Sequence, residues 1–155
     1  MMGAMLRQRL NDALKAAMLG RDTRTVSTVR LILAALKDRD IAARPRGIAD
    51  GVPDEEILQM LQSMMKQRRE SIALYEQGGR LELAQQESEE IAIIERFLPA
   101  QMSEAEVGEA IDGVIAAIGA QGLKDMGRVM AALKEQFAGR LDATKASAIV
   151  KQKLG

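Results

Sequence analysis

Apolar residues recur at every third or fourth position through seven stretches of this 155-residue chain, and glycine or proline punctuates the boundaries between them. That spacing matches the roughly 3.6-residue turn of an α-helix, and no stretch keeps the two-residue alternation of a half-buried strand. The pattern predicts an all-α protein. Ala, Leu, Met, Glu, Gln, Lys and Arg dominate, while aromatic residues make up only 2% of the chain. Those are the strong helix formers, so propensity and periodicity agree.

Leu6, Leu10, Leu14, Ala17 and Met18 outline a first helix over about residues 2–19, stopped by Gly20. Asp22 or Thr23 can cap a second helix with Val26, Val29, Leu33, Leu36 and Ile41 as its core stripe. A loop with Pro45, Gly47 and Gly51 follows and is expected to be mobile. Pro53 with Asp54, Glu55 and Glu56 reads as the start of a third helix running to about residue 77, because carboxylates complement the positive end of a helix dipole. Gly78-Gly79 ends it, and a fourth helix over about residues 80–97 has Leu81, Ala84, Ile91, Ile94 and Leu98 on its core side. Pro99 breaks the pattern, and Ser103 with Glu106 forms a capping box that restarts it. Two lobes are therefore expected, residues 1–98 with about four helices and residues 99–155 with three. In the second lobe, helices are expected around Val107 to Ile118, over about residues 124–137, and from the cap Asp142 to Leu154.

The chain contains no His and no Cys. Ser–His–Asp triads, imidazole acid–base chemistry, His-bearing metal sites and thiolate chemistry are all excluded by that fact. There is no GxxxxGK[ST] run, no GxGxxG after a strand and no Gly/Ser-rich segment of the kind that houses an amidase nucleophile. No catalytic residue, metal ligand or cofactor site is assigned. Charges or amides interrupt every apolar run, which rules out a membrane-spanning helix, and nothing at the N-terminus resembles a signal peptide. Cytoplasm is the expected compartment.

Lys plus Arg equal Asp plus Glu at 22 each, so the whole molecule carries no net field that would draw nucleic acid. Local excess exists nevertheless. Arg21, Arg24, Arg30, Lys37, Arg39, Arg44 and Arg46 stand against only Asp22, Asp38 and Asp40, and Lys66, Arg68 and Arg69 crowd one turn of the third helix. Such patches suit phosphates, or else form a solvated face balanced by acids on neighbouring helices. Glu87 and Glu90 share a face of the fourth helix; such pairs either hold Mg²⁺ or serve acid–base chemistry, or else simply face solvent or pair with the basic second helix. Gly108, Gly113 and Gly127 lie inside expected helices, where each costs about 1 kcal/mol relative to Ala, and close helix–helix approach within the C-terminal lobe is the explanation favoured over a ligand contact.

The run Lys124-Asp125-Met126-Gly127-Arg128-Val129-Met130, then Gly139-Arg140-Leu141-Asp142 and Ile149-Val150-Lys151, resembles the YqeY family. Val29 to Lys37, the Arg68-Arg69-Glu70-Ser71 segment and Glu95-Arg96-Phe97-Leu98-Pro99 resemble that family's N-terminal pattern in order and spacing. The resemblance implies two helical lobes, the second similar to the tail domain of the GatB subunit of the tRNA amidotransferase, a domain that touches tRNA. It points to Lys124, Arg128, Arg140 and Lys145 as RNA contacts, with Gly127 in a structural role that allows close packing. Lys66, Arg68, Arg69, Arg30 and Lys37 join them from the charge pattern. The expected function is a helical module that binds tRNA, or an amidotransferase or aminoacyl-tRNA synthetase complex. The alternatives are a carbon–nitrogen ligase using glutamine as amide donor, by family association, and a protein–protein scaffold.

Overall fold

The structure is a computed structural model that describes residues 5–155. Among them are seven α-helices and no strand, so the all-α class is what the chain adopts. The first helix, α1 (Met5–Leu19), matches the expected apolar stripe; residues 2–4 of that expectation lie outside the described residues. Asp22 caps α2 (Thr23–Ala43), its carboxylate accepting from the Thr25 amide at 3.2 Å and the Thr25 hydroxyl at 2.6 Å. A single 3-10 turn, Arg44–Arg46, ends at a left-handed Gly47. Pro53 then opens α3 (Asp54–Gln77), with three carboxylates in the first turn. Gly79, at φ 74°, carries the chain into α4 (Leu81–Glu95).

The capping box at α5 (Glu104–Ile118) forms as its sequence spells it: the Ser103 hydroxyl accepts from the Glu106 amide at 3.2 Å and the Glu106 carboxylate from the Ser103 amide at 3.0 Å. A 3-10 turn, Leu123–Asp125, leads into α6 (Met126–Gln136). Asp142 caps α7 (Ala143–Leu154) by accepting from the Thr144 amide at 2.8 Å.

The helices fall into two compact units, one ending at Leu98 and one spanning Pro99–Gly155. Leu10, Val29, Ile32, Ile57, Leu61 and Ile94 are completely buried in the first core. Ile111, Val129, Leu133, Ala146 and Val150 fill the second. Each large aliphatic side chain removed from water contributes about 1.5–3 kcal/mol, so these contacts rather than intrinsic propensity hold the helices.

Three residues assigned to the core stripes face outward instead: Met18, Ile41 and Leu81 are 52%, 45% and 65% exposed. At about 100° per residue, Ile41 falls on the side of α2 opposite Val29, Ile32 and Leu36, and Met18 is turned a similar step away from buried Ala17. Leu81 is the first residue of α4, at the tip of the turn after Gly79. The loop before α3 is also more constrained than expected. Arg7 grips Asp40 with both terminal nitrogens, at 2.9 and 2.7 Å, and donates to the Val52 carbonyl at 3.0 Å, while the Val52 amide donates to Asp40 at 2.9 Å. Gly51 lies against this clamp at φ 95°, and a Cβ there would come within 2.5 Å of the Arg7 guanidinium.

Candidate nucleic-acid interface

In the C-terminal unit α5 ends at Gly119, in the left-handed conformation at φ 67°, and the turn at Leu123–Asp125 delivers the chain into α6. Asp125 is buried, and its two oxygens accept from the Gln121 amide at 2.9 Å and from the Arg128 guanidinium at 3.1 Å. The backbone hydrogen bond from Gln121, helped by Arg128 and Lys124, holds this carboxyl below the usual carboxylate range. Arg128 also donates to the Ile118 carbonyl at 3.2 Å, which satisfies one of the orphan acceptors at the end of α5. Even so, 61% of its side chain is exposed. Lys124 is exposed one residue before Asp125.

Gly127 overturns the close-packing explanation. It is exposed, and a Cβ built there would meet nothing within 4 Å; a Cβ at exposed Gly113 or half-buried Gly108 would likewise meet nothing. No helix approaches any of the three closely enough to require glycine. Gly127 sits in the first turn of α6, flanked by Lys124 and Arg128, and no side chain caps that turn. The first turn of a helix leaves backbone amides without intrahelical acceptors and carries about half a positive charge. The Met126 amide already donates to the Leu123 carbonyl, so what coincides there is positive charge and open space on a turn that no side chain caps.

Arg140 and Lys145 are placed differently. The Arg140 Nε donates to the Ala100 carbonyl at 3.0 Å and its own carbonyl accepts from the Met102 amide at 2.9 Å, so this residue fastens the segment leading into α5. Lys145 is exposed in the first turn of α7, its amide turned to the Asp142 cap at 3.4 Å.

Among the cations of the N-terminal unit, Lys66, Arg69, Arg30 and Lys37 are exposed. Arg68 is not. Only 13% of its side chain is accessible; Nε lies 2.8 Å from Glu90 and 3.8 Å from Glu87, and a terminal nitrogen donates to the Met64 carbonyl at 3.2 Å. Two carboxylates already neutralise this guanidinium, which leaves little of its charge for a phosphate. The Glu87 and Glu90 pair accordingly neither faces solvent nor meets the second helix, because both turn to Arg68 on α3. Burial, with Glu90 beside it, pushes the Glu87 carboxyl up. It is Glu89 that reaches α2, 3.3 Å from Arg24.

Sequence reasoning passed over Asp125 as a participant. Its one local signal was the three-residue spacing to Arg128, which brings two side chains together on a helix. Arg7 and Asp40, 33 residues apart, offered none. Among the described residues no group of three or more His, Cys, Asp or Glu is gathered where it could hold a metal ion, and no helix is long and apolar enough to cross a membrane.

An all-helical chain in two units, with exposed cations spread over its helix faces, defines the class of protein. The chain belongs to the YqeY family: the family model described as Yqey-like protein matches residues 7–154. It is 30% identical over 88 residues to altered inheritance of mitochondria protein 41, mitochondrial, of Kluyveromyces lactis, covering 57% of this chain and 45% of that protein. The Eremothecium gossypii protein of the same name is 34% identical over 92 residues, covering 59% and 48%. An uncharacterized protein of Schizosaccharomyces pombe is 26% identical over 100 residues, covering 64% and 74%. The chain thus spans less than half the length of the first two relatives.

Proposed function

We propose that the chain is a helical binding module that engages tRNA, alone or within the amidotransferase or synthetase complex that handles it, and that the first turn of α6 receives a backbone phosphate. The compartment proposed with it is the cytosol. Gly127 carries this reading. A glycine inside a helix is destabilising by about 1 kcal/mol relative to Ala, and packing does not require one here. Close approach of an anion to the positive end of α6, which no side chain caps, gives it a purpose, since a side chain would stand in the way. Lys124 and Arg128 flank the position, and Lys145 adds a cation on the same unit. Asp125 opposes the anion only weakly, because its carboxylate is turned inward to the Gln121 amide and Arg128. Aromatic stacking platforms are lacking, so the contact is to the phosphate backbone and not to bases.

The test is a titration of the full chain with labelled bulk tRNA at two salt concentrations, followed by fluorescence anisotropy. With two to four phosphates engaged, log Kobs should fall against log salt with a slope of about −2 to −4. Lys124→Glu is the clean variant, because no hydrogen bond ties that side chain to the fold, and it should weaken binding severalfold without moving the melting temperature. Absence of binding at low salt, or binding indifferent to salt, would overturn the reading.

A further inference from the structure

The outer face of α2 has a chemical pattern that the phosphate reading does not use. At about 100° per residue, Arg30, Ala34, Lys37 and Ile41 fall within about 60° of one another, on the side opposite buried Val29, Ile32 and Leu36. All four are exposed, and Leu31 lies alongside; Leu31 and Ile41 are 49% and 45% accessible. Neither Arg30 nor Lys37 makes an ion pair or hydrogen bond with another described residue. Neighbouring cations do find acids, Arg24 on Glu89 and Arg46 on Glu56. Two unpaired cations therefore border an apolar strip about three turns long, with a small residue, Ala34, at its centre.

We propose that this face docks an acidic amphipathic helix of a partner protein. The i, i+4, i+7, i+11 spacing of Arg30, Ala34, Lys37 and Ile41 is a ridge of the kind that packs into the groove of a second helix, and Ala34 allows the two backbones to approach. Burying Leu31 and Ile41 supplies the apolar contribution, and the cations select the partner by charge. A bare phosphate backbone would match Arg30 and Lys37 but leave the leucine and isoleucine against solvent, so the mixture favours a protein helix over RNA. The charge is also segregated. Asp38 stands beside Leu31 on the other edge of the strip, so the partner helix carries its acids along one edge only, which fixes its direction. This inference stands apart from the tRNA reading, because it concerns a different unit and a different ligand.

The test is selection from a displayed library of single helices, randomised on one face, against the full chain. Enriched helices should carry apolar residues at i, i+3 or i+4, and i+7, with Asp or Glu along one edge. Their affinity should fall about tenfold or more in the variant Arg30→Glu with Lys37→Glu, and severalfold in Ile41→Ser, while circular dichroism stays unchanged because all three side chains are exposed. Asp38→Lys should favour selected helices that bear acids on both edges. Enrichment of helices without acids, affinity unchanged by the double reversal, or no enrichment would overturn the proposal. So would a labelled oligonucleotide that loses more affinity to the double reversal than the selected helix does. A concentration-dependent mass abolished by Ile41→Ser would likewise overturn it, by showing that the face is occupied by a second copy of the chain.

Discussion

Arg68 and Arg128 each pair with a carboxylate, yet 13% of one side chain is exposed and 61% of the other. In the N-terminal unit the best-placed guanidiniums are turned inward, Arg7 onto Asp40 and Arg68 onto Glu90, where they tie elements far apart in sequence. In the C-terminal unit the pair Arg128 and Asp125 spans three residues and leaves most of the arginine in solvent. The same two chemical groups thus fasten a core in one unit and present charge in the other. Burial, not residue type, decides which.

The difference can be broken from its strong side first. Glu90→Ala leaves the Arg68 guanidinium in a mostly buried place with only the more distant Glu87, which should cost about 2–4 kcal/mol in chemical denaturation. Replacing both partners by apolar residues, Arg68→Met with Glu90→Leu, should recover most of that loss. Asp125→Ala, by contrast, exposes groups that water can reach and should cost about 1 kcal/mol.

Acid sharpens the comparison next. The Arg7 hydrogen bond holds the Asp40 carboxyl below its ordinary range. Its contribution is therefore complete above the unfolded carboxylate pKa and disappears as pH falls through the lower folded value. Asp40→Asn should flatten that acid limb of a denaturation-versus-pH curve, at a cost of about 1–2 kcal/mol at neutral pH. Glu87 acts with the opposite sign, because its raised pKa makes the folded state gain stability as pH falls through it. Glu87→Gln should remove that compensating rise.

The smallest effect falls on the glycines of the C-terminal unit. A Cβ at Gly113, in the middle of α5, meets open space, so Gly113→Ala should stabilise by about 0.5–1 kcal/mol in thermal melts. A loss of stability there would mean that the helix surface is more crowded than the structure has it.

The helix starts were legible because a cap is a local device: Asp22, Pro53, Ser103 with Glu106, and Asp142 each act within a few residues of themselves. Burial of particular side chains was less legible. Ile41 fits an apolar stripe by spacing, yet neighbouring Val29, Ile32 and Leu36 determine which side of α2 faces inward. The inward turn of Arg68 depends on Glu90, 22 residues away on α4, and periodicity within α3 carries no trace of it. Gly127 shows the reverse case. Its position and its cost in a helix could be read directly, but the packing inferred from them was absent, because sequence records that a glycine is there and not what surrounds it. The cations Lys124, Arg128 and Lys145 were picked out by resemblance, and the structure adds that Arg140 and Arg68 are held by other groups of the fold.

The most direct measurement compares the tRNA affinity of Gly127→Leu with that of the unaltered chain, by anisotropy at low salt, alongside its melting temperature. A Cβ at this exposed position meets nothing within 4 Å, and the rest of the leucine would stand over the first turn of α6. The account predicts an unchanged or raised melting temperature with affinity lowered about tenfold, roughly 1.4 kcal/mol. Equal affinity in a folded variant would contradict it.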